Sequence, residues 1–184
     1  MTEKLTARHK TVIIINGSGG CGKDAVCKIA AKYYKTENQS AIDGIKTAAK
    51  LLGWTGSKDL KDRKFLSDLQ DLSTAYNNFS IRNIFTKYQN FMKSDNELMF
   101  VHIRKPVDIA SFLEKITASG GKAATLLISR TGVNPGGFGN NADDGVQNYK
   151  YDYVYVNDTK SLADLETDIL PYLRNIIFEF AMKS

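Results

Sequence analysis

The sequence predicts an α/β fold in three layers, with a five-stranded parallel sheet and helices on both faces. Two observations carry this reading. Short β-branched or aliphatic runs alternate with longer segments whose apolar residues recur at helical spacing, the pattern of strand–helix–strand units with right-handed crossovers. The first run, Thr11 to Asn16 (TVIIIN), is apolar without alternation, as a strand covered on both faces requires.

The elements follow in order. Lys23 to Lys35 reads as a helix, Gln39 to Ile42 as a short second strand ending at Asp43, and Ile45 to Leu52 as a helix stopped by Gly53. Asp59 to Leu72 and Ile81 to Met92 read as two helices with no strand between them. Glu97 to Ile103 (ELMFVHI) is the third strand, Val107 to Ala118 the helix behind it, and Lys122 to Ser129 (KAATLLIS) the fourth strand. Arg130 to Tyr149 holds Gly132, Gly136, Gly137, Gly139, Gly145 and Pro135 with four asparagines, the composition of a long loop. Asp152 to Asn157 (DYVYVN) is the fifth strand, and Ser161 to Phe180 a closing helix interrupted near Pro171. The expected organisation is one domain over residues 1–184, with a helical insertion at about 54–94 and a loop at about 130–149.

Bulk composition narrows the function classes. At 184 residues, with 42% hydrophobic and 24% charged residues, the chain has an ordinary globular balance that excludes disordered and fibrous classes. No apolar run reaches the roughly 18 residues of a membrane span, and MTEKLTARHK lacks the apolar core of a signal peptide, so a cytoplasmic protein without a membrane partner is expected. The net charge of +5 and pI of about 9.1 come from scattered basic residues, without the basic stripe and interleaved aromatics of a nucleic-acid surface. Anionic small molecules suit that excess at least as well. Cys21 and Cys27 read as free thiols, and His9 and His102 supply no metal-ligand spacing with them.

The stretch "IIINGSGGCGKDAVCKI" carries the chemistry. Gly17-Ser-Gly19-Gly20-Cys21-Gly22-Lys23 fits G-x-x-x-x-G-K, set between a predicted strand and a predicted helix as a phosphate-binding loop requires. Its glycines let backbone N–H groups turn inward around a polyphosphate, the helix N-terminus adds partial positive charge, and Lys23 supplies an ammonium for the β and γ phosphates. Asp24 departs from the pattern, which carries Ser or Thr there as a magnesium ligand. A carboxylate beside phosphates needs a bridging cation, so Asp24 reads as a magnesium-shell residue or else as a first-turn partner of the helix dipole. Cys21 beside the helix N-terminus is a candidate for a lowered thiol pKa.

The loop "GSGGCGKD" resembles the variant phosphate loop of phage-type deoxynucleoside monophosphate kinases and of several small-metabolite kinases, which also place Asp after the lysine. The stretches "AIDGIKTAAKLLGW", "KDLKDRKFLSDLQDL", "FVHIRKP" and "YDYVYVND" are similar to segments of proteins related to adenylate and deoxynucleoside monophosphate kinases, so the likeness covers most of the chain. It implies a P-loop kinase fold, ATP and Mg²⁺ as cofactors, and nucleotide substrates. It also implies that the helical insertion binds the acceptor monophosphate and that the Arg130–Tyr149 loop is the lid over the donor phosphates.

Position selects the acceptor side, because ligands of such folds sit at the carboxyl ends of the strands. Asp43, Arg104 and Arg130 end successive strands and face one crevice; Arg104 and Arg130 join Lys23 as candidate catalytic cations. Asp43 reads either as a ligand of Mg²⁺ or an acceptor hydroxyl, or as a helix N-cap. Lys46 and Lys50 share a helix face, either toward phosphate or toward solvent. Arg63 and Arg82 in the insertion are the acceptor-phosphate candidates, against surface pairing with Asp59, Asp62, Asp68 and Asp71. Trp54 reads as packing or as a base-stacking ring, and His102 as a satisfied strand residue. Asn140, Asn141, Asp143 and Asp144 fit turn chemistry or ligation; Asn157 and Asp158 lie near the donor base or cap the last helix.

The leading function is transfer of the ATP γ-phosphoryl to a nucleoside or deoxynucleoside monophosphate, by a monomer or homodimer. The alternatives are a small-metabolite kinase of the dephospho-coenzyme A kinase kind, and a nucleotide-binding regulator. Asp24 and a loop whose cations are only Arg130 and, beyond its main part, Lys150 speak for the regulator.

Overall fold

In the computed structural model, which describes residues 10–57, 59–131, 146, 149–159 and 161–182, eleven elements form one open sheet flanked by helices. They are β1 (Thr11–Asn16), α1 (Lys23–Tyr33), β2 (Thr36–Ser40), α2 (Asp43–Leu51), α3 (Leu60–Asn77), α4 (Phe79–Lys93), β3 (Leu98–His102), α5 (Pro106–Ala118), β4 (Ala124–Ser129), β5 (Tyr153–Val156) and α6 (Leu162–Met182). The strand order is β2-β3-β1-β4-β5 and every pairing is parallel. The α/β sheet is therefore as the sequence predicts.

The unbroken apolar run of β1 has its reason in this order. β1 is the central strand, with Ile15 opposite His102 on one side and Leu126 on the other, and all six of its residues are buried. Ile13 and Ile15 face α1 and α6 with Leu98, Phe100, Leu126 and Ile128. Val12 and Ile14 face α4 and α5 with Met99, Val101, Ile84, Phe91 and Phe112. Each fully buried aliphatic or aromatic side chain contributes about 1.5–3 kcal/mol. In β1 polar residues stand only at the two ends, Thr11 and Asn16.

Three boundaries differ from the sequence reading, each for a physical reason. β2 is the polar segment Thr36–Ser40, not Gln39 to Ile42, because an edge strand pairs only with β3 and needs no apolar face. Ile42 instead packs with Trp54, Ile45 and Leu66 under α2, which settles Trp54 as a packing residue. α3 runs on to Asn77 and meets α4 at Asn78, whose φ of 53° turns the chain in the left-handed region that Asn tolerates. α6 continues through Pro171, since Leu165, Ile169, Leu170, Leu173, Ile176 and Ile177 anchor both its halves to the core. No described helix is long and apolar enough to cross a membrane.

One contact ties the start of the described chain to the insertion. The Lys10 ammonium donates to the carbonyls of Phe91 (2.9 Å), Ser94 (2.6 Å) and Asn96 (2.7 Å), and stands 4.7 Å from the Phe91 ring centre. It thereby satisfies carbonyls at the C-terminus of α4, where a cation also meets the negative end of the helix dipole. Lys10→Met is expected to lower unfolding free energy by about 1.5–3 kcal/mol, the range for charged hydrogen bonds. A urea midpoint equal to wild type would show that this clamp contributes nothing.

Candidate functional site

The carboxyl ends of all five strands lie along one edge of the sheet, and the glycine loop Gly17–Gly22 crosses it between β1 and α1. Gly17 has φ 144°, and a side chain there would overlap the Ile128 carbonyl of β4 and approach Cys21 Sγ to 2.7 Å. Gly22, with φ 105°, is the N-cap residue of α1, where a side chain would run into Asn157. These two positions accept glycine alone.

Two buried asparagines fix the loop. Asn16 ends β1; its Oδ1 accepts from Gly17 N (2.8 Å), while Nδ2 donates to the Arg104 carbonyl (3.1 Å) and the Tyr151 hydroxyl (2.8 Å). Asn157 follows β5; its Nδ2 donates to the Cys21 carbonyl (2.8 Å), and its Oδ1 accepts from the Thr159 hydroxyl (2.7 Å). Both are about 1–2% exposed, so these bonds form away from water and hold the loop to the segments beside β3 and β5. Neither role was read from the sequence, although each Asn closes an apolar strand run, in TVIIIN and YVYVN. The last helix is capped instead by Ser161 and Asp164, each accepting the other's N–H at 3.1 Å.

The loop so held is an anion cradle. Gly22 gives α1 no side-chain cap, and the N–H groups of Gly19, Gly20, Gly22, Lys23, Asp24 and Ala25 have no hydrogen-bond acceptor among the described residues. Lys23 folds over them: its ammonium donates to the Gly17 and Ser18 carbonyls, the latter at 2.8 Å, and lies 3.6 Å from Cys21 Sγ. Unpaired donors, a helix N-terminus and an ammonium in one turn form a site for phosphate. Cys21 is buried under the loop rather than presented to solvent.

Asp24 is exposed in the first turn of α1, and no described residue hydrogen-bonds or ion-pairs with it. Asp43 is the first residue of α2, while Ile42 holds the N-cap place, which corrects the capping alternative. The Asp43 carboxylate accepts from Ser40 N (2.9 Å) and lies 3.8 Å from the Lys46 ammonium. Among the described residues no group of three or more His, Cys, Asp or Glu side chains is placed to hold a metal. An ion there would take one or two carboxylates and otherwise phosphate and water oxygens, the habit of Mg²⁺, and Asp24 fits that donor set.

The remaining candidates divide. Arg104 is exposed directly after β3. Arg130 follows β4 and reaches the Thr159 carbonyl at 3.5 Å, while Thr131 N donates to Asp158 (3.2 Å), so Arg130 leans toward the β5 side of the loop. Arg63 is half-buried on α3. Arg82 lines an open groove of about 600 Å³ with Asn77, Phe79, Asn83, Phe85, Thr86 and Lys115 of α5. The acids named as surface partners of the insertion are partly so used: Asp68 pairs with Lys64, Asp71 with Lys105, and Asp59 caps α3 by accepting from Asp62 N. Asn140, Asn141, Asp143 and Asp144 lie outside the described residues, as does most of the 130–149 loop.

His102 is better placed than its sequence suggests. Its Nε2 lies 2.7 Å from Asn38 Oδ1 and 3.9 Å from Cys27 Sγ, beneath the first turns of α1. Burial pushes its pKa down, and the charges of Asp24, Lys23, Asp43 and Arg104 all reach it. The Cys27 thiol is pushed up to about 12, by burial first and then by Asp24, and is no nucleophile at neutral pH.

With this geometry in place, comparison with solved structures becomes informative. The tunicamycin resistance protein of Deinococcus radiodurans matches with a TM-score of 0.57 and 11% identity over 90% of this chain and 96% of that one. The thymidylate kinase of Ehrlichia chaffeensis matches with a TM-score of 0.50 and 12% identity, over 90% and 99%. What these structures share with this chain is the fold. The APS kinase of Mycobacterium tuberculosis follows at 0.44 and 13% identity, over 90% and 98%. Neither the protein-family models nor the curated proteins give a match.

Asn157→Ala removes the donor to the Cys21 carbonyl and leaves that oxygen buried and unpaired. The expected cost is about 1–3 kcal/mol of stability. Chemical denaturation measures it; an unchanged midpoint would contradict the clamp.

Proposed function

We propose that this protein is an ATP-dependent phosphotransferase whose acceptor is a nucleoside or deoxynucleoside monophosphate. The observation that carries the reading is the set of unpaired N–H groups of Gly19, Gly20, Gly22, Lys23, Asp24 and Ala25, closed over by Lys23 at the head of α1. That many donors in one turn exceed what a single phosphate oxygen can take, and they suit a polyphosphate chain. The neighbours support the same reading, one being a thymidylate kinase by name.

The chain's groups take these parts. Gly17, Gly19, Gly20, Cys21 and Gly22 supply the backbone cradle, and Lys23 follows the γ-phosphoryl as it moves. Asp24 would hold Mg²⁺, whose charge would screen the phosphate oxygens from each other, while Asp43 stays with Ser40 N and Lys46. Arg104 and Arg130, which follow β3 and β4, are the proposed catalytic cations, and Lys46 of α2 and Arg63 of α3 the proposed acceptor cations. Catalysis is then positioning plus charge neutralisation, with no covalent step on the protein.

One observation favours a second reading, a small-metabolite kinase whose acceptor presents a hydroxyl, as dephospho-coenzyme A does. Lys46 is already paired with Asp43, and Arg82 lies in the groove shared with Lys115, so fewer cations than expected remain for an acceptor phosphate.

A coupled assay of ADP release from Mg-ATP, run against ribo- and deoxynucleoside monophosphates and dephospho-coenzyme A, separates the two. Acceptor-dependent release from a monophosphate is expected, falling about 100-fold or more in Lys23→Ala, the scale for losing a transition-state charge partner. Release with no acceptor, or release unchanged in Lys23→Ala, would overturn the proposal.

A further inference from the structure

In phosphate loops the ion carried by the nucleotide is ordinarily held by a Ser or Thr hydroxyl after the lysine and by a second aspartate on a neighbouring strand. This chain has neither in its usual place. The position after Lys23 is the carboxylate Asp24, and β3, the strand hydrogen-bonded beside β1, ends on His102.

The surroundings of His102 define what it offers. On the same face of β3, Leu98 and Phe100 are fully buried against α1 and α6, and His102 ends that row at the crevice, half-exposed. With the Asn38 amide oxygen as acceptor at 2.7 Å, the imidazole carries its proton on Nε2. No described residue meets Nδ1, which is left as an acceptor open to water. Cys27, 3.9 Å from the ring, lies three residues after Asp24 on α1, and the Asp24 charge reaches the imidazole. Lys23, Asp43 and Arg104 complete the charged groups that reach it, and burial keeps it neutral.

We propose that the two metal-holding roles are exchanged between helix and strand. Asp24 brings the negative charge from α1, and His102 is a positioning residue whose Nδ1 accepts a hydrogen bond from a water bound to the ion. This rests on the phosphotransferase reading above. It explains why a carboxylate is tolerated beside the phosphates: the acid is moved, not added, because the strand end that would carry the second one carries a neutral acceptor. Outer-shell partners of this kind typically change metal affinity by about 10–100-fold.

The test measures Mn²⁺ affinity of the ATP complex of the full chain by electron paramagnetic resonance, with metal-free ATP binding followed in parallel by calorimetry in chelator. Asp24→Thr is expected to weaken Mn²⁺ about tenfold or more, and Asp24→Thr/His102→Asp, which restores the ordinary arrangement, to return it to within about threefold of wild type. His102→Asn keeps a neutral acceptor and should hold the affinity, while His102→Leu should lose about tenfold. The last two variants decide the matter even if the double variant does not fold. A folded double variant as weak as Asp24→Thr, or equal affinities for His102→Leu and His102→Asn, would overturn the exchange. Wild-type protein that binds no ATP even without metal would overturn the phosphotransferase reading and this one with it.

Discussion

The site depends on one constraint: a loop of mostly unpaired backbone groups must keep its shape with nothing bound. Two buried side-chain amides supply the restraint. Asn16 holds the loop's first residue and reaches across to β3, and Asn157 holds the Cys21 carbonyl from the end of β5. Between them the backbone adopts glycine-only conformations at Gly17 and Gly22, packed so closely against β4 and Asn157 that a methyl group would not fit. Leaving the donors unpaired costs free energy in the empty protein. The parallel sheet offsets that cost, because the ends of β1, β3 and β5 converge where the two amides are needed.

The sheet order also divides the labour around the loop. On one face α1 and α6 cover Ile13, Ile15, Phe100 and Ile128, and this layer carries Lys23, Asp24 and His102 up to the edge. On the other, α4 and α5 cover Val12, Ile14 and Val101, and the first turn of α4 presses Phe79 and Asn83 against Gly44 at the start of α2. Asp43 and Lys46 are thereby fixed next to the insertion. α1 on one side and α2 to α4 on the other thus meet at the strand ends, which under the proposed phosphotransfer are the donor and acceptor sides.

Much of this was legible in the residues. The TVIIIN run announced a central strand, and the glycine spacing before Lys23 announced a phosphate loop, because both patterns are local consequences of burial and backbone geometry. β2 was misplaced because its sequence, TENQS, has no apolar signal, and its pairing is set by β3 from far along the chain. The roles of Asn16, Asn157 and Lys10 were out of reach for the same reason. Each side chain has a partner 81 residues or more away along the chain, and an asparagine at a strand end is indistinguishable in sequence from a turn residue. His102 is the hydrogen-bonded strand residue that the sequence predicts, but the run ELMFVHI says nothing about which helix covers its end. Arg82 lies in a groove with Lys115 of α5, a neighbour that the local sequence does not announce.

The central claim is that the amides of Gly19 to Ala25 wait for a polyphosphate. The most direct measurement is to follow backbone amide resonances by ¹H–¹⁵N NMR while ATP is added to the metal-free protein. The expected result is large downfield proton shifts confined to Gly20, Gly22, Lys23, Asp24 and their neighbours, with the Lys23→Ala protein showing weaker binding at the same amides. Saturable shifts elsewhere that leave these amides unmoved would contradict it.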